Sequence, residues 1–180
     1  MNIQPLRIDD IMPGFRSLRG IDGNFHSSDD FKNRFLVIVF SCNHCPYVQA
    51  YEDRMIAFQK EYADKDVQLV AINSNDSKNY PDDSYEKMIE RAKNRKFNFF
   101  YLRDEDQSVA NAFGATHTPQ FFIFDSKRAL RYSGKMDDNW KEPQLIKETY
   151  LKDALDALFA GIGVKISETF SIGCTIKWKQ

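Results

Sequence analysis

The longest unbroken apolar stretch lies at residues 35–40. Within it, residues 36–40 form a β-branched and aromatic run of the kind that makes a strand buried on both faces. After it the period changes. Val48, Tyr51, Met55, Phe58 and Tyr62 recur at spacings of three, four, three and four. That predicts one face of a helix, with Glu52, Asp53, Arg54 and Lys60 on the others, and Pro46 suits its first turn. Residues 67–72 predict a second buried strand. A helix over about 83–95 follows, with Tyr85, Met88, Ile89 and Ala92 inward, and then a strand over 98–102. A short helix over 106–113 is stopped by Gly114. Strands at 121–124 and 130–133, turned at 125–128, make a hairpin, and a last helix runs from 143 to 161 on Leu151, Ala154, Leu155 and Leu158. Upstream, residues 15–20 and 21–25 read as short strands. Residues 167–180 show no period.

Two strand–helix–strand steps imply parallel pairing, and a closing hairpin adds antiparallel strands. The expected class is α/β, a central mixed sheet flanked by helices. No linker or repeat divides the chain. One domain over 1–180 is expected, with an N-terminal extension of about 1–34 and a C-terminal tail of about 162–180.

Composition narrows the function. Lys plus Arg is 25 and Asp plus Glu is 26, so the formal charge of −1 gives no reason to expect a nucleic acid partner. The apolar run at 35–40 is too short to cross a bilayer, so no membrane partner is expected. The opening Met-Asn-Ile-Gln-Pro-Leu-Arg-Ile-Asp-Asp has no apolar stretch of the signal-peptide kind, and a cytoplasmic location is the expectation. Three cysteines, an odd and small number, do not describe a disulfide-stapled secreted domain.

Two of the cysteines, Cys42 and Cys45, stand at C-x-x-C spacing between a buried strand and a helix. A first helical turn offers unpaired N–H groups and the positive end of the dipole, which favour a thiolate. The expected roles are Cys42 as nucleophile and Cys45 as resolving thiol. His44 between them either supports the thiolate as an imidazolium or fills an exposed turn. Cys174 is either a relay thiol or a packed tail cysteine. Asn73, Asn75 and Asp76 follow a strand's C-terminal end, where ligand-facing groups gather, although such residues also simply form turns. Trp140 lines a groove or packs. Phe97, Phe99, Phe100, Phe121, Phe122 and Phe124 read as core.

Several blocks taken together carry a resemblance. They are Cys42-Asn-His-Cys-Pro-Tyr47, Ala71-Ile-Asn-Ser-Asn-Asp76, Thr118-Pro119 ahead of Phe121-Phe-Ile-Phe124, Asp137-Asp-Asn-Trp140 and Ser171-Ile-Gly-Cys-Thr-Ile-Lys-Trp178. Over roughly residues 10–180 the chain resembles bacterial thioredoxin-like proteins close to thiol peroxidases (AhpC/TSA) and TlpA-type thiol–disulfide oxidoreductases. The resemblance implies a thioredoxin fold with an N-terminal β-hairpin and a helix–strand insertion around 78–103. It also implies that Thr118-Pro119 is a cis-proline element facing the dithiol. The chain departs from these relatives in three ways. Residues 36–41 hold no carboxylate to accept a proton, so an acceptor must come from elsewhere. The P-x-x-x-T-x-x-C pattern of peroxiredoxins, counted back from Cys45, meets Cys42 at the Thr place and Ile38 at the Pro place. His117 stands where these relatives more often have a cysteine.

The leading expectation is an enzyme that reduces or exchanges disulfides with a C-x-x-C dithiol. It needs no cofactor, because the dithiol stores both electrons. Its expected partners are a disulfide-containing protein, or a small thiol or peroxide, and a separate reductase. A thiol-dependent peroxidase is one alternative. A copper- or zinc-binding module drawing on Cys42, Cys45, His117 and His44 or Cys174 is another, although the leading reading assigns no metal ligand.

Overall fold

The computed structural model describes residues 4–180; residues 1–3 of the N-terminal extension lie outside the described part. A hairpin of β1 (Leu18–Gly20) and β2 (Phe25–His26) comes first. Then β3 (Phe35–Phe40) leads into α1 (Pro46–Tyr62) and β4 (Val67–Asn73), and α2 (Tyr85–Arg95) into β5 (Phe100–Arg103). The remainder is α3 (Ser108–Phe113), β6 (His117–Thr118), β7 (Gln120–Phe124), β8 (Leu130–Gly134), α4 (Tyr150–Phe159) and β9 (Cys174–Thr175). One sheet runs β2-β1-β5-β4-β3-β7-β8, and β6 pairs with β9 apart from it.

The sheet is mixed, as the element order implies. β3–β4 and β4–β5 are parallel, while β3–β7, β7–β8 and β1–β5 are antiparallel. Side chains alternate across each strand, so one run feeds two cores. Phe35, Val37 and Val39 face one side with Val67, Leu69 and Ala71, under α1, Met88 of α2, and Leu151 and Leu155 of α4. Leu36, Ile38 and Phe40 face the other with Val70 and Ile72, under Val109 and Phe113 of α3. All of Val48, Tyr51, Met55, Phe58 and Tyr62 are buried, which fits the helical period.

Several expectations need correction. Glu52 is buried on α1 instead of exposed, because Arg91 and Arg95 of α2 reach across to its carboxylate. Ile89 is exposed. The last helix begins at Tyr150, not at 143. Residues 143–145 make one 3₁₀ turn, and then Glu148 O and the Lys147 amide bond the loop at Asp138, so the backbone is already satisfied without helix. The strands expected at 15–20 and 21–25 shrink to β1 and β2 around a turn at Asp22.

The tail, unpatterned in sequence, is tied down along its length. Thr169 bonds Ser133 and Lys135, β9 pairs with β6, and Ile176 donates to Thr116 O (2.9 Å). Lys177 exchanges bonds with Asn75 and Asp76, and Gln107 bonds Lys177 O and the Lys179 amide. Main-chain contacts replace hydrophobic period here, which is why no pattern betrays the segment.

Gly173 is the tightest point of this tail. A Cβ there would stand 2.1 Å from the Thr118 carbonyl oxygen. We expect Gly173→Ala to push β9 off β6 at a cost of about 1–3 kcal/mol. Loss of hydrogen-exchange protection at the Ile176 amide is the readout, and unchanged protection there would contradict this account.

Candidate active site

β3 ends in the buried Phe40 and Ser41, and the Ser41 amide bonds Ile72 O (2.8 Å). The loop 42–45 therefore leaves the sheet at the C-terminal ends of β3 and β4, where open α/β sheets gather ligand-facing groups. Pro46 opens α1 and Cys45 is its N-cap residue. This shifts the electrostatic argument by one cysteine. The helix starts after both cysteines, with Cys45 immediately before its first turn and closer to its unpaired amides in sequence than Cys42, although the Cys45 side chain makes no cap hydrogen bond.

Thr118 touches both sulfurs. Its hydroxyl lies 3.4 Å from Cys42 Sγ, and Cys45 Sγ lies 3.2 Å from its carbonyl oxygen. The Thr118–Pro119 peptide is cis. Cys174 Sγ, brought by β9, lies 2.8 Å from Cys45 Sγ. A thiol 129 positions away in sequence thus joins the C-x-x-C pair, and all three are free. Cys42 and Cys45 are 1% and 0% exposed, whereas Cys174 is half-buried.

The thiols differ in acidity. Hydrogen bonding from Cys42 lowers Cys45 most; burial opposes this, and the Cys174 thiol and the amides of Val48 and Cys174 lower it further. The single Thr118 carbonyl is outnumbered by these donors. Cys42 is raised by its bond to Cys45, then by burial, then by the Asp83 carboxylate. Cys174 is pushed up to about 11 by burial and then by Cys45. Acidity within the cluster thus shifts in opposite directions, lowered at Cys45 and raised at Cys42 and Cys174.

Asp83 is the site residue that sequence reasoning did not single out. It is fully buried at the end of a 3₁₀ turn just before α2. Its carboxylate accepts the Asn43 amide (2.6 Å), His44 Nδ1 (2.6 Å) and Asn75 Nδ2 (2.8 Å). The segment 81–84 reads in sequence as a plain polar connection. The available signal was the absence of a carboxylate in β3 together with a loop rich in donors. His44 is half-buried, bonded to Asp83 and stacked on Tyr80 at 5.6 Å, so it is no exposed turn filler. Asn73, Asn75 and Asp76 are buried; Asn75 orders both Asp83 and Lys177. Trp140 packs on Tyr47, and Asp137 clamps Arg54 and Tyr51 of α1.

The expected metal-ligand set is not brought together as a whole. His117 Nδ1 is bonded to Thr116 Oγ1 (2.8 Å), and among the described residues the cluster of ligand atoms is Cys42, His44 and Asp83. There a cation would have to displace the short His44–Asp83 bond. A cavity of about 760 Å³ is lined by residues such as Arg19, Tyr85 and Arg103 and by no cysteine. No helix among the described residues is long and apolar enough to cross a membrane.

A thiolate absorbance should persist in the reduced protein at about pH 6, well below the ordinary thiol range near 8.5, and vanish in Cys45→Ser. Survival of the band in Cys45→Ser, with loss in Cys42→Ser, would put the charge on Cys42. The sign for stability follows. A folded thiol more acidic than the unfolded one contributes fully above the unfolded value and progressively less as pH falls toward the folded one.

Residues 8–133 match the AhpC/TSA family. An uncharacterized conserved protein from Geobacillus kaustophilus is 40% identical over 96% of this chain and 93% of its own, with a TM-score of 0.89. A hypothetical protein from Sinorhizobium meliloti 1021 is 34% identical over 98% and 97%, also at 0.89. A putative thiol:disulfide interchange protein DsbE from Chlorobium tepidum shares the thioredoxin fold, at 18% identity over 87% and 97% with a TM-score of 0.66. No curated protein matches the chain. With the matched span taking in the sheet, the dithiol loop and Thr118-Pro119, the chain belongs to the AhpC/TSA family.

Proposed function

We propose that residues 1–180 act as one thioredoxin-like unit, a thiol–disulfide oxidoreductase whose two electrons reside on Cys42 and Cys45. The observation that carries this reading is the meeting of both sulfurs on Thr118 at the N-terminus of α1. The Cys45 thiolate attacks a disulfide, forming a mixed disulfide and expelling one thiolate, which takes up a proton from water. Cys42 then gives its proton to the Asp83–His44 pair, whose ligand atoms lie within 4.8 Å of its sulfur. It attacks Cys45 Sγ, closes the Cys42–Cys45 disulfide and releases the second thiolate. Asp83 thus fills the place of the proton acceptor absent from β3. The dithiol is itself the electron store, and a separate reductant restores it.

The family match favours a second reading, a thiol peroxidase. There the Cys45 thiolate would break the O–O bond of a hydroperoxide, becoming a sulfenic acid as the corresponding alcohol leaves, and Cys42 would condense with it to form the disulfide and release water.

Reduced protein mixed with a small disulfide should exchange in the leading reading. Cys45→Ser should lose about a hundredfold or more in rate, and the double variant Cys42→Ser, Cys174→Ser should stall as a mixed disulfide on Cys45. Asp83→Asn should keep the first step, slow the second, and shift its pH profile upward. Retained turnover in Cys45→Ser would refute the dithiol scheme. Fast peroxide consumption with a regenerating thiol, without disulfide exchange, would select the second reading.

A further inference from the structure

Cys174 sits where nothing about the dithiol scheme requires a thiol. Its position is built, not incidental. On one side the tail is fixed by Thr169 to Ser133 and Lys135, on the other by Ile176 and Lys177 to Thr116, Asn75 and Asp76. Between these anchors β9 registers Cys174 opposite Thr118, and only a residue without Cβ fits at 173 against the Thr118 carbonyl. The result is a 2.8 Å Sγ–Sγ contact with Cys45. The two dithiol sulfurs are closed off from solvent, and Cys174 is the member of the cluster that is partly open. The tail also occupies one main-chain edge of β6, so an extended polypeptide cannot pair along that edge beside the sulfurs while β9 is in place.

We propose that Cys174 is a third redox thiol, the port through which a small thiol returns electrons to the buried pair; this rests on the dithiol reading above. In the oxidised protein the Cys174 thiolate attacks Cys45 Sγ of the Cys42–Cys45 disulfide. A Cys45–Cys174 bond forms, the Cys42–Cys45 bond breaks, and Cys42 leaves as a thiolate that takes up the proton Cys174 gave away. No electrons are gained or lost in this exchange. An external thiolate then attacks Cys174 Sγ, the more accessible sulfur, and Cys45 leaves as its stabilised thiolate, a good leaving group. A second external thiol attacks the mixed disulfide on Cys174 and releases a small disulfide and the Cys174 thiol. In sum, two small thiols become one disulfide, and the protein disulfide becomes two thiols. Burial raises Cys174 most and Cys45 adds to it, and only the second contribution falls away once Cys45 is in a disulfide.

Peptide mapping tests the proposal directly. Cys42→Ser is treated with glutathione disulfide, quenched in acid, alkylated and digested without reductant. We expect an internal Cys45–Cys174 disulfide, whereas glutathione retained on Cys45 with Cys174 alkylated would overturn the proposal. Cys174→Ser should still close Cys42–Cys45, but its re-reduction by glutathione should slow about tenfold or more; a wild-type rate in a folded Cys174→Ser protein would also overturn it. Should Cys174→Ser fail to fold, the Cys42→Ser map decides alone. Failure of the wild type to close Cys42–Cys45 at all would instead refute the dithiol reading, while the Cys42→Ser map still reports on Cys174.

Discussion

A buried carboxylate must be surrounded by donors, and in this molecule that demand organises the active-site loop. Asp83 has no contact with water and takes hydrogen bonds from the Asn43 amide, His44 and Asn75. Two of the donors, the Asn43 amide and His44, belong to the dithiol loop, and the third, Asn75, to the loop after β4. The Asn43 side chain is in turn held by Asp82 O and the Tyr101 hydroxyl. A polar network of this kind is costly unless every member is satisfied. Satisfaction fixes the loop against the insertion that carries α2 and β5, and the cysteines inherit that fixed geometry. The same carboxylate sets them apart electrically, because it lies near Cys42 while the helix N-terminus faces Cys45.

Much of this could be read from the chain. The continuous apolar runs gave β3 and β4 almost to the residue, since strands buried on both faces admit little else. The three-and-four spacing located α1, and Cys42, Cys45, Thr118 and Pro119 do meet. What stayed hidden has a common physical character. Asp83, Glu52 and the tail are held by polar contacts between residues distant in sequence, and such contacts leave no periodicity. Arg91 pairs with Glu52 from 39 positions away, and Lys177 with Asn75 from 102. The assignment of the more acidic thiol turned on where α1 begins, a boundary that sequence reading resolves poorly.

The tail alters the character of the AhpC/TSA scaffold in this chain. The family match ends at residue 133, yet a cysteine and a strand from beyond it complete the sulfur cluster. Its anchors run to Ser133 and Lys135 on one side and to Asn75 and Asp76 on the other, so the tail staples β8 to the loop after β4 across the mouth of the site. Access to the sulfurs is thereby a property of this strap as much as of the dithiol loop.

Thr118 holds Cys42 through a side-chain atom and Cys45 through a main-chain atom. The two contacts therefore answer to different kinds of change. Any amino acid at position 118 supplies the carbonyl, but only one bearing a hydroxyl supplies the partner for Cys42. Substitution at this single position therefore alters the side-chain contact to Cys42 directly and reaches Cys45, whose main-chain contact is kept, only through Cys42.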